Sequence, residues 1–264
     1  MRIFKFGGAS VKDAKGLRNL VHVLQTVGHE NTLLVVSAMG KTTNALEEVI
    51  KNYFENETAI QDSISAVKKY HNDILRELFS DKDHPVFSAV DAFFNTLTTF
   101  LSTNKSPRYD FVYDQVVSFG ELISTTIVHH YLRETGIENT WLDVRDYIKT
   151  DTSHRDAKVD WETTQDIIIK GVDPSVLNIV QGFLGSDSDN FTTTLGREGS
   201  DYTAAIFAYC LNAESVTIWK DVEGVLNADP RYFENTQLLH QISYEEAIEL
   251  AFYGASVIHP KTLQ

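Results

Sequence analysis

Two apolar patterns recur along the chain, and their alternation sets the expected architecture. The chain opens on the short apolar run IFKF, closed by Gly7 and Gly8. Leu17, Leu20, Val21, Leu24 and Val27 then repeat at the three-four spacing of one helix face, with Gly28 as a natural stop. Residues 32–38, TLLVVSA, are apolar and β-branched without alternation, as in a strand covered on both faces. Together these segments make a β-loop-α-β unit of the length a parallel crossover needs.

The helical pattern returns over 58–79 (Ile60, Ile64, Val67, Ile74, Leu78) and again over 86–101 (Phe87, Val90, Phe93, Phe94, Leu97, Leu101). No strand separates them, so residues 55–105 or thereabouts read as a helical insertion ended by the turn NKSPRYD at 104–110. Alternation then resumes. Residues 116–136 predict a helix closing at Gly136, and NTWLDV a strand. VLNIVQGFLG (176–185) predicts a strand running into a loop. SDYTAAIFAYCL predicts a helix, and SVTIWKD (215–221) the strand after it. Ser243 with Glu246 forms a capping box for a last helix. The expected fold class is α/β, a mostly parallel central sheet with helices on both faces. There are no repeats or linkers, so one domain is expected over residues 1–264. Ligands of such sheets lie beyond the carboxyl ends of the strands, which directs attention to the loops there.

Composition narrows the function. The chain has 264 residues, 42% hydrophobic and 23% charged, with a formal net charge of −14. Such an acidic surface disfavours non-specific binding to nucleic acid or anionic membranes, while leaving room for a locally basic pocket. Cys210 is the single cysteine, so no internal disulfide forms; its apolar surroundings predict a small buried hydrophobe. MRIFKFGG is too short for a secretory signal, and no apolar stretch is long enough to span a bilayer. The expected location is the cytoplasm. The histidines show no metal-ligand spacing.

Five post-strand segments carry candidate chemistry. In KFGGAS (5–10), Gly7 and Gly8 would let backbone amides approach an anion at the following helix N-terminus, with Lys5 aimed at the same place. A tight turn with a surface lysine is the plain alternative. The P-loop spacing is absent. SAMGKTTN (37–44) is rich in hydroxyls, as a solvated turn would also be. In SFGELIS (118–124), Gly120-Glu121 is expected to open a helix; Glu121 would meet a ligand ammonium or complement the helix dipole. TLGREGSDYTAA (194–205) places two glycines around Arg197, which suits a carboxylate or phosphate, with Ser200 or Asp201 as a candidate N-cap. WKDVEGVLNADPR (219–231) is a long irregular loop with Asp221 and Arg231.

In order and from end to end, KFGGAS, VVSAMGKTTN, SFGELIS, TTTLGREGSDYTAA, WKDVEGVLNADPR and EEAIELAFYGASVIHPKT resemble the aspartate kinases. That resemblance implies the three-layer αβα sandwich of the amino-acid kinases. It implies transfer of the γ-phosphoryl of MgATP to the side-chain carboxylate of L-aspartate, giving 4-phospho-L-aspartate. On this reading Lys5 stabilises the transferring phosphoryl group, and Gly7, Gly8 and Ser10 line the phosphates. Thr43, Glu121 and Arg197 contact substrate, while Ser200 and Asp201 organise the site. Lys220, Asp221, Leu226, Arg231 and Ser256 fall at nucleotide positions. Magnesium is expected to be held mainly by ATP phosphates and water. The full-length protein is expected to be a homo-oligomer. Glutamate or acetylglutamate kinase is the nearest alternative, and a non-catalytic ligand-binding fragment the more distant one.

Departures from the family pattern matter too. Many members have Thr at Lys220, Tyr at Leu226 and Lys at Ser256, and Gly where this chain has Glu198. Glu198 is therefore expected to point outward at negative φ. Relatives continue past HPKT and then carry paired ACT domains, so the last part of the kinase domain and the regulatory half are expected to be absent.

Overall fold

The computed structural model describes residues 1–229 and 232–252. Strand β1 (Arg2–Phe6) leads through helix α1 (Ala14–Val27) to β2 (Thr32–Val36). Asp13 caps α1 by accepting the Gly16 N–H, and Gly28 ends it at φ 81°. Then come α2 (Thr42–Glu55), a 3-10 turn over Glu57–Ala59, α3 (Ile60–Leu78), α4 (Pro85–Thr103) and the long α5 (Tyr109–Glu134). Strand β3 (Asn139–Leu142), α6 (Val144–Tyr147), α7 (Trp161–Gly171) and β4 (Leu177–Gln181) follow. A hairpin of β5 (Leu184–Ser186) and β6 (Thr192–Thr194) precedes α8 (Gly199–Cys210), β7 (Ser215–Trp219) and α9 (Tyr244–Phe252).

The main sheet has the order β3-β4-β2-β1-β7, with every pairing parallel. Its central strands are the most apolar: Leu33 to Val36 are fully buried, as are Ile3, Ile179 and Val180. Helix α8 packs on β1, β2 and β7, while α5 packs on β2, β3 and β4 and carries α2 and α4 behind it. The expected αβα layering is present, and α3 and α4 extend the α5 layer. His71 of α3 is fully buried there; its Nδ1 lies 2.8 Å from the Val67 carbonyl, and burial pushes its pKa down to about 4.

Three expectations change. Helix α5 begins at Tyr109 and runs through Gly120 and Glu121 without a break, so these residues do not open a helix. Gly120 allows a close approach in mid-helix: a Cβ there would stand 3.0 Å from the Ala38 Cβ and 3.3 Å from the Thr42 Cγ2, tighter than ordinary contact. Residues 42–55, left outside any element by the pattern, form α2 with Leu46, Val49 and Ile50 inward. And α8 begins at Gly199, so neither Ser200 nor Asp201 is its N-cap.

Candidate active site

Because β1, β2, β4 and β7 are parallel neighbours, their carboxyl ends open on one side of the sheet, and the loops there are laced together. The Ser37 N–H donates to the Phe6 carbonyl (3.1 Å), the Gly40 N–H to Gly8 (2.9 Å) and the Gly182 N–H to Val36 (3.0 Å). Gly8 is required by this contact: a Cβ would lie 2.6 Å from the Ala38 carbonyl oxygen. A cavity of about 520 Å³ lies over these loops, within the range of small-molecule sites.

Lys5, near the end of β1, points into it. Its side chain is 8% exposed, and its Nζ lies 2.5 Å from Oδ1 of Asp201, itself 2% exposed. Asp201 sits in the first turn of α8, where the helix dipole favours a carboxylate. Lys220 reaches the other oxygen, Oδ2, at 3.5 Å. Two cations thus converge on one anchored carboxylate.

Glu121 enters from α5. Its Oε1 accepts the Ala38 N–H at 3.3 Å, and Oε2 is buried with no hydrogen-bond partner. Burial pushes its pKa up to about 8, with the Ala38 N–H pulling the other way. The neighbouring Ser124 hydroxyl donates to the Ser37 carbonyl at 2.7 Å, which fixes α5 against the end of β2. Half-buried Thr43, at the start of α2, and exposed Arg197 also line the cavity, as does Ser200.

Of the other expected residues that are described, Gly7, Ser10, Asp221 and Leu226 are not part of this lining. Gly7 lies beside it: a Cβ there would be 3.5 Å from the Lys5 Nζ. The Ser10 hydroxyl donates to the Trp219 carbonyl at 3.2 Å, tying the first loop to β7. Asp221 is exposed, and Leu226 pairs with Leu238 across an antiparallel bridge. Arg231 and Ser256 lie outside the described residues.

Glu198 differs from expectation. Its φ is 53°, in the left-handed region, and its side chain lines the cavity. The turn into α8 demands that backbone whatever residue occupies it, so the cost of a Cβ is accepted rather than avoided. Six described non-glycine residues have positive φ: Asn31, Asn190 and Asn212, where asparagine tolerates it, and Arg155, Phe183 and Glu198. All three of the latter line this cavity. Strain of this kind gathers at functional sites.

Sequence reasoning missed Arg155, Phe183 and Tyr113. Phe183 was within reach, since it follows β4 as the other loops follow their strands. Arg155 and Tyr113 gave no local signal. The Arg155 guanidinium packs 4.6 Å over the Tyr113 ring, and its loop is pinned by buried Asp114. That carboxylate accepts the Thr194 hydroxyl (2.7 Å) and backbone N–H (3.1 Å), the Arg155 N–H (3.1 Å) and, on Oδ2, pairs with His154 Nδ1 (2.9 Å). Burial still holds the Asp114 pKa above the usual carboxylate range.

Residues 1–264 match the amino acid kinase family. The chain is 33% identical, over 99% of its length, to the chloroplastic bifunctional aspartokinase/homoserine dehydrogenase 2 of Arabidopsis thaliana, of which it spans 29%. It is 31% identical, again over 99% of its length, to the lysine-sensitive aspartokinase 3 of Escherichia coli, of which it spans 58%. The crystal structure of E. coli aspartokinase III in complex with aspartate and ADP matches all of this chain and 58% of that one, with a TM-score of 0.90 at 31% identity. These relatives are therefore considerably longer than this chain. With a match along its whole length and the parallel sheet and cavity described above, the chain belongs to the amino acid kinase family.

Proposed function

We propose that this chain transfers the γ-phosphoryl group of MgATP to the side-chain carboxylate of L-aspartate, yielding 4-phospho-L-aspartate and ADP. The observation that carries the reading is the cavity's division of charge. Lys5 and Lys220 converge on Asp201, Arg197 stands on the rim, and Glu121 offers a buried carboxyl oxygen with no partner. A substrate bearing a carboxylate, an ammonium and a second carboxylate matches that set. The likeness to aspartokinases supports the same substrate.

The chemistry needs no general base. A side-chain carboxylate, with an ordinary pKa of about 3.9, is already an anion at neutral pH. One of its oxygens attacks the γ-phosphorus. The bond from that phosphorus to the oxygen bridging to the β-phosphate breaks, and the electron pair leaves with ADP. The obstacle is bringing an anion onto a triphosphate, so the protein must supply positive charge and position. Lys5 meets the transferring group, and Asp201 holds the lysine in place. Arg197 grips the α-carboxylate, and Glu121 takes the ammonium. No described group of three or more His, Cys, Asp or Glu could hold a metal by itself, which suits magnesium carried on the triphosphate, where it shields phosphate charge. Thr43 and Ser200 contact substrate, and the post-β7 loop with Asp221, Leu226 and Arg231 serves the nucleotide. The product would feed lysine, threonine and methionine synthesis in the cytoplasm, in a homo-oligomeric protein.

The test is to incubate the purified protein with MgATP and L-aspartate and trap the acyl phosphate as a hydroxamate. Aspartate is expected to give product, and Lys5→Ala to lower kcat by about a hundredfold or more while the protein still folds. Product from L-glutamate or N-acetylglutamate alone would reassign the substrate.

A further inference from the structure

Glu198 remains unexplained by the reaction above, and ordinary structural roles do not account for it. It occupies the N-cap position of α8 yet makes no capping hydrogen bond. It forms no ion pair with any described residue, although Arg155 and Arg197 line the same cavity. Its Oε2 is buried and without a hydrogen-bond partner. A half-buried carboxylate in a left-handed turn, with one oxygen shut away from water and unbonded, carries both backbone strain and the cost of an unsatisfied polar atom. Such a group is explained by a partner that arrives with the ligand.

The cavity shows what that partner is. Of its three carboxyl groups, Asp201 is occupied by Lys5 and Lys220. The other two, Glu121 and Glu198, each present a buried oxygen with nothing bound. Glu121 is 3% exposed. The two arrive from different elements, one from mid-α5 and one from the turn before α8, and face one space. An ammonium group has three N–H donors and can satisfy both. A divalent cation fits less well, since no described cluster of three acidic or histidine side chains exists to hold one.

The geometry points to Glu198 as a specificity residue that, with Glu121, forms a two-carboxylate receptor for the ammonium group of the amino-acid substrate. This rests on the proposed aspartate reading and deepens it. Glu198 thereby discriminates amino acids from dicarboxylates of the same length that lack the amine.

The test compares L-aspartate with succinate, which is aspartate without its ammonium, by calorimetric titration of the purified protein in the presence of ADP and magnesium. Wild-type protein is expected to bind aspartate much more tightly than succinate. Glu198→Gln keeps the size of the side chain and removes the charge. It is expected to weaken aspartate about tenfold, as loss of one charge-assisted contact would, and to leave succinate within about twofold. Glu198→Gly, which relieves the left-handed backbone, should show the same loss, so a folding defect cannot account for it. Equal weakening of both ligands, an unchanged aspartate affinity, or a change only in the magnesium requirement would overturn the role assigned to Glu198. Those results leave aspartate turnover by the wild type standing. Failure of the wild type to bind aspartate at all would remove the substrate assignment together with the receptor.

Discussion

Burial favours the protonated form of Glu121. With its pKa raised to about 8 by burial, the ligand-free carboxyl is protonated at neutral pH, and a substrate ammonium favours the ionised form. Binding therefore releases a proton. The KM for aspartate is expected to fall about tenfold per pH unit as pH approaches 8 from below and to level off above it. Kinetics across that range check the slope, and Glu121→Gln should leave a high, flat KM. The sign for stability is opposite. The folded pKa is raised, so the ligand-free protein's contribution from this proton is complete below pH 4.5 and lost as pH rises through about 8. Thermal melts without substrate should show that loss, and the Gln variant should not. At this scale the sequence was informative where glycines flank a charged residue near the carboxyl end of a strand. Lys5, Asp201 and Arg197 could be located because glycines announce the backbone that exposes them. Arg155 could not, because its place depends on Asp114, a helix residue whose partners come from β6 and a distant loop. Glu198 was misjudged because the cost of left-handed backbone was weighed without knowing that the turn imposes it.

Among the elements, α5 determines how well the site is aligned. It lies against the loop after β2 at the distance of a missing methyl group, and both Glu121 and Ser124 depend on that approach. Gly120→Ala would ordinarily gain about 1 kcal/mol of helix propensity. Here the new methyl would press on Ala38 and Thr42, whose backbone and first helical turn have little room to give. The expected outcome is a net loss of about 1–3 kcal/mol in a denaturant melt, with the aspartate KM raised more than the ATP KM. A stabilised variant with unchanged kinetics would mean that the α5 contact is loose. Strands and amphipathic helices such as β2, α1, α3 and α4 were legible because their apolar period is unbroken. Helix α2 was not: its inward face, Leu46, Val49 and Ile50, is short and follows a hydroxyl-rich loop that also reads as a turn. The β5-β6 hairpin escaped notice for a different reason. Its buried strand Thr192–Thr194 is all threonine, polar by composition and satisfied only by tertiary contacts.

For the whole molecule, the sheet order has a consequence for the sequence of events in folding. Strand β1 is held between β2, its near neighbour in the chain, and β7, and the Ser10–Trp219 bond closes a separation of 209 residues. Closing so long a loop is entropically slow, and the contacts that reward it come late. Lys5 belongs to β1, whereas Asp201 and Lys220 belong to α8 and the segment after β7, some two hundred residues later. Lys5 therefore waits at a half-built sheet edge until α8 and β7 dock and bring Asp201 to it. Trp219 reports that docking, since its indole stacks on Phe6 at 5.9 Å. In protein with Trp141 and Trp161 replaced by Phe, refolding should show the far-UV helical signal ahead of the Trp219 fluorescence change, and nucleotide binding should return with the latter. Coincident signals would mean that the sheet closes in one step. If they separate, the cluster of Lys5, Asp201 and Lys220 is the last part of this fold to form, and a chain interrupted before β7 would retain much of its secondary structure with that cavity left open.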